Sequence, residues 1–91
     1  MDKATQEAPG FQFPCAYQIK AMGRNDGRFT DVVVDIIGQH CAQVDHHSVV
    51  SKPSRNGKYL SVSITIEAHS HAHLDNLYAA LTAHEKVLMR L

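Results

Sequence analysis

The chain has 91 residues, with nine Lys plus Arg balanced by nine Asp plus Glu and an apolar fraction of 44%. That length allows one domain with one modest core. Zero net charge excludes a partner held by broad electrostatics, such as bulk nucleic acid or an anionic membrane, and leaves room for a local patch and for self-association.

Residues 1–12 read as a flexible polar tail. The run Met1 to Gly10 has no apolar core and is not expected to act as a secretory signal. Phe11, Phe13 and Pro14 form a short apolar lead-in, and residues 13–91 are expected to form a single domain. Ala16 to Met22 alternates as a strand, with Tyr17, Ile19 and Ala21 inward and Gln18 and Lys20 outward. Gly23-Arg24-Asn25-Asp26-Gly27 is expected as a loop, with Asn25 or Asp26 capping the next helix. That helix carries Phe29, Val32, Val33, Ile36, Ile37 and His40 at steps of three and four. The polar stretch from Ala42 to His47 ends it.

Val49 to Lys52 reads as a second strand, and Pro53, lacking an N–H, marks it as an edge strand. Asn56-Gly57 supplies the turn, with positive φ expected at Gly57. The strand after it alternates cleanly. Leu60, Val62, Ile64 and Ile66 face the core, while Tyr59, Ser61, Ser63, Thr65 and Glu67 face away. Ser70 caps a second helix with Leu74, Leu77, Tyr78 and Leu81 on its apolar stripe. Lys86 to Leu91 reads as a final strand.

The order is β-α-β-β-α-β. It predicts an α+β ferredoxin-like sandwich, a four-stranded antiparallel sheet with both helices on one face. No apolar run approaches the ~20 residues of a membrane-spanning helix. Cys15 and Cys41 are too few for a disulfide scaffold and read as small, partly buried thiols in a reducing cytoplasm.

Several residues together resemble the YbeD family of small bacterial proteins. They are Phe13-Pro14, Lys20, Met22-Gly23, the terminal Val87-Leu88-Met89-Arg90-Leu91, and above all Lys52-Pro53-Ser54 followed by Gly57, Tyr59 and Ser61-Val62-Ser63-Ile64-Thr65-Ile66. The resemblance covers about residues 13 to 91. It implies an ACT-like fold and a small cytoplasmic regulatory or ligand-binding domain linked to lipoate metabolism. ACT domains bind amino acids at the first loop, but Gly23 to Gly27 lacks their Asp-x-Pro-Gly turn.

The residues that could carry chemistry also fit plainer roles. His69, His71 and His73 would have to converge to hold a metal, yet i and i+2 on a helix diverge by roughly 200°. They are expected as solvated residues at a helix start, with no metal or other cofactor. Cys15 has no local base to activate it. Arg24 and Arg28 stand where acylphosphatases of the same fold hold phosphate, which makes an anion-binding hydrolase the alternative reading. A single Tyr on the open sheet face is no stacking platform for RNA. The sequence thus predicts a non-catalytic binding domain for a protein partner, a small metabolite or a second copy. Its candidate contact residues are Gly23, Arg24 and Asn25 in the first loop, and Lys52, Ser54, Arg55, Lys58, Tyr59 and Ser61 around the hairpin.

Overall fold

The computed structural model describes residues 12–42 and 44–90. The expected tail, apart from Gln12, and the terminal Leu91 lie outside them. In chain order the elements are β1 (Cys15–Arg24), α1 (Phe29–Gly38), a single 3-10 turn (His46–Ser48), β2 (Val50–Pro53), β3 (Tyr59–Ala68), α2 (His71–Ala83) and β4 (Met89–Arg90). The four strands form one sheet in the order β2-β3-β1-β4, and every pairing is antiparallel. This is the ferredoxin-like arrangement.

The alternation in β3 sets the register. Ile66 pairs with Tyr17, Ile64 with Ile19, and Val62 with Ala21, so three apolar rows share one face. Both helices cover that face. Phe29, Val33, Ile36 and Ile37 come from α1, and Leu74, Leu77 and Leu81 from α2. Ile19, Ala21, Val33, Ile37, Val62, Ile64, Leu77 and Leu81 are sealed from solvent. The Val- and Ile-rich α1 is a poor helix by local preference, so this burial is what holds it. No described helix is long and apolar enough to cross a membrane.

Several boundaries differ from the sequence reading. β1 runs on to Arg24, so Gly23 and Arg24 belong to the strand and not to the loop. Gly23 is buried where a Cβ would overlap the Lys86 carbonyl and the Phe29 ring, which explains a glycine inside a strand. α1 stops at Gly38, leaving His40 exposed beyond it. The residue capping α1 is Arg28, which makes no side-chain capping bond. Asp26 instead accepts the Arg28 N–H at 2.9 Å and takes the Lys86 ammonium at 2.6 Å. Those contacts, with Lys86 the larger, hold the Asp26 carboxyl below its ordinary range. Ser70 does cap α2, accepting the His73 N–H at 3.0 Å.

The final strand shrinks to Met89–Arg90, while Val87 packs against the core from an irregular segment. The 3-10 turn was not foreseen. Its Ser48 hydroxyl accepts the Thr65 N–H at 3.0 Å and so stands in for a strand beside β3.

The hairpin differs in kind. Gly57 has φ +76°, as expected, but no residue other than glycine has positive φ among those described. Asn56 therefore does not take part in a two-residue mirror-image turn. The Ser54 carbonyl accepts the Gly57 N–H at 2.9 Å, which closes an ordinary four-residue turn that Gly57 then leaves in the left-handed region. The Asn56 side chain accepts the Lys58 N–H at 3.1 Å, and the Ser54 hydroxyl accepts the Tyr59 N–H at 3.0 Å.

Candidate functional site

The helices cover one face of the sheet, and no described element covers the other. Five rows of side chains cross that open face, and the three nearest the hairpin are the richest in cations and apolar side chains. Val50, Ser63 and Lys20 form the first; Lys52, Ser61, Met22 and Met89 the second; Tyr59 and Arg24 the third. Val50 and Met89 keep 55% and 49% of their surface exposed, which is unusual for apolar side chains that could have been buried. Lys58 lies over the half-buried Tyr59 ring, 5.6 Å from its centroid.

The first loop and the hairpin tip are parts of one surface. The Asn25 N–H donates to the Lys58 carbonyl at 3.0 Å, and the Asn25 side-chain amide donates to the Gly57 carbonyl at 3.1 Å. Arg24 pairs directly with Tyr59 across β1 and β3. Arg24, Lys52, Lys58, Tyr59 and Ser61 are thus gathered together, with Arg55 on the adjoining tip. Ser54 and Asn25 serve the hairpin itself. Gly23 is buried and serves packing. Lys20, Met22, Val50, Ser63 and Met89 complete the surface. Their alternation was legible, but only the register shows which of them stand side by side.

Charge is sorted in part between the two layers. Asp31 and Asp35 on α1, Asp75 on α2 and Glu85 after it are all exposed on the helix layer. Lys20, Arg24, Lys52, Arg55 and Lys58 lie on the open face and its hairpin, and among the described residues none of the five is in an ion pair. Glu67 is the one carboxylate of β3, at the far end of that face, with His69 3.8 Å away.

The sheet edge is a poorer site. The Ser54 N–H turns inward to the Tyr59 carbonyl at 2.9 Å. Alternation turns the amides of Lys52 and Val50 inward as well, and those of Ser51 and Pro53 outward. Pro53 has no N–H to offer. An added strand would find little to pair with along β2, so the face and not this edge is the accessible feature.

Neither loop chemistry nor thiol chemistry has the required geometry. In the first loop the Asn25, Asp26 and Arg28 amides already bond within the protein, and Asp26 sets its own carboxylate at the start of α1. An entering phosphate would meet that charge. The three histidines do not converge on one point, although the His69 and His73 rings lie 5.3 Å apart. His71 stands edge-on to the Phe13 ring at 4.9 Å, and His69 is exposed. His73 was expected to be solvated but is half-buried with both ring nitrogens engaged: Nδ1 accepts the His69 N–H at 3.2 Å, which makes Nε2 the donor to the His40 carbonyl at 2.8 Å. Cys41 Sγ lies 3.8 Å from that same Nε2. A protonated Nε2 cannot take the thiol proton, and burial pushes the Cys41 thiol up from its ordinary value. Among the described residues no group of three His, Cys, Asp or Glu side chains could hold a metal ion.

Two grooves were not foreseen. One, of about 750 Å³, opens at the far end of the sheet and is lined by Cys15, Cys41, Asp45, Thr65, Glu67 and His69 among others. The other, of about 390 Å³, lies between the helices beside Val32, Ile36, Ala80 and His84. Neither reaches the gathered cations.

Residues 8–91 match the family described as proteins of unknown function (DUF493). The chain belongs to the DUF493 family. It is 40% identical over 91 residues to a UPF0250 protein of Hahella chejuensis, covering 100% of both chains. It is 40% identical over 80 residues to one of Nitrosomonas europaea, covering 88% of this chain and 92% of that one. These relatives bear out the resemblance to the YbeD family. The solution structure of protein HP0495 from H. pylori superposes with a TM-score of 0.73 over 93% of this chain and 89% of that one. At 16% identity, that likeness concerns the fold alone.

Proposed function

We propose that this chain is a small regulatory domain that acts by binding a protein partner, without catalysing a reaction, and that its contact surface is the open sheet face with the hairpin tip. One observation carries the reading: no described element covers this sheet face, which displays Met22, Val50, Met89 and Tyr59. A solvated face has no need of those side chains, whereas a binding face does. Tyr59 is the natural anchor, because a half-buried aromatic with a polar tip contributes contact area at low entropic cost.

Tyr59→Ala tests this. The ring faces away from the core, so the variant should keep its fold and lose association. Light scattering reports self-association, and pull-down from the native lysate compares partners captured by the wild type and the variant. If the variant retains every partner while the Tyr59 ring is freely mobile by NMR, this surface is not the one used, and the search moves to the two grooves.

A further inference from the structure

Resting on that reading of the open face, we infer that its occupant is an acidic segment of a partner protein, bound through side-chain carboxylates along the line Lys20, Ser63, Ser61, Lys52 and Arg24. Three independent features converge there.

The first is charge. Lys20, Lys52 and Arg24 stand in three successive rows of the same face, and no described carboxylate pairs with any of them. Asp31, Asp35, Asp75 and Glu85 are exposed on the opposite, helical layer, and the carboxylate of the open face, Glu67, stands at its far end. Such sorting on a neutral chain gives an acidic partner an orientation as well as an attraction.

The second is hydrogen bonding. Ser63 is only 9% exposed, and among the described residues its hydroxyl has no partner. A buried donor left unmade is costly, and native chains leave few of them. Ser63 lies between Val50 and Lys20, one row from Ser61. Two hydroxyls and flanking ammonium groups make a set of donors without a complementary acceptor, which is what a carboxylate supplies.

The third is what the face lacks for a nucleic acid. It has one aromatic ring where base stacking needs several, and Glu67 would repel a phosphate backbone running the length of β3. Met22, Met89 and Val50 suit the apolar side chains of a peptide.

The test is an amide-shift titration of the ¹⁵N-labelled full chain with short synthetic peptides. A glutamate-leucine peptide should shift the Lys20, Ser61 and Ser63 amides, and a lysine-leucine peptide of the same length should not. Lys20→Glu with Lys52→Glu should weaken the acidic peptide about tenfold or more, and added salt should weaken wild-type binding. Ser63→Ala should leave the melting midpoint unchanged or raised, because it removes an unpaired donor, and should still weaken the peptide. If a neutral serine-leucine peptide shifts the same amides as strongly as the acidic one, the carboxylate inference falls and the open-face reading stands. If no peptide shifts any open-face amide, both fall. If oligouridylate binds this face more tightly than the acidic peptide, the occupant is a nucleic acid and the inference is overturned.

Discussion

The two faces of the sheet are made by the same strands and obey different rules. On the helix side, Ile19, Ala21, Val62 and Ile64 are sealed under α1 and α2. On the open side, their chain neighbours Lys20, Met22, Ser61 and Ser63 meet no second layer among the described residues. Core packing explains every residue of the first set. It explains almost nothing of the second, where cations stand together with no counter-ion among the described residues and apolar side chains are exposed. The difference separates what the fold requires from what remains for binding.

The largest expected effect tests that separation within one strand. Ile64→Ala removes a fully buried side chain and should cost ~2–5 kcal/mol. That is a large share of the stability of so small a domain. Ser61→Ala, three residues earlier on the other face, should change stability by about 0.5 kcal/mol or less. Urea titration of both variants reads the contrast directly. Comparable losses would mean that the open face is part of the folding core, and would remove the reason to treat it as a site.

A smaller effect belongs to the hairpin that carries the cationic tip. Gly57 has φ +76° and nothing near its Cα that a side chain would strike. Gly57→Val should therefore cost more than ~1 kcal/mol through backbone strain alone. Gly57→Asn should cost much less, since asparagine tolerates the left-handed region. Equal melting midpoints for the two variants would contradict a strain-only account.

How far the sequence could be read follows the same division. Periodicity in β3 and the two apolar stripes was enough to place the core and the strand order, because burial imposes a period that the chain must obey. Positive φ at Gly57 was legible because so few residues tolerate it. The hairpin type was not, since Ser54 and Asn56 side chains close it with bonds that have no periodic signature. The length of β1 is not legible because Gly23 looks like a turn residue, and only the Phe29 ring and Lys86 carbonyl show why a strand needs it. The surface itself was legible in part. Alternation put Tyr59 and Ser61 on the open face, but the joining of the first loop to the hairpin through Asn25 is a long-range contact. So is the row that sets Lys20 beside Ser63.

The smallest effect sharpens the helix-side half of the comparison. The Tyr78 hydroxyl donates to the Tyr17 hydroxyl at 3.3 Å, beneath the Arg90 guanidinium, which lies 4.9 Å from the Tyr78 ring centroid. Burial first, then the bond to Tyr17, push the Tyr78 phenol up to about 12, with Arg90 opposing. A folded value above the unfolded one, near 10, favours the neutral phenol in the native state. Its contribution to stability is thus complete below about pH 10 and is lost as pH climbs through the folded value. Tyr78→Phe has no such proton to lose. Between neutral pH and about pH 11 the melting midpoint of the wild type should fall further than that of the variant. The difference should be modest, because the hydroxyl pair is only part-buried and solvent screens it. Parallel curves would show that the phenol is solvated like any surface tyrosine. The helix layer would then be open at α2, and the two faces of the sheet less unlike than their packing indicates.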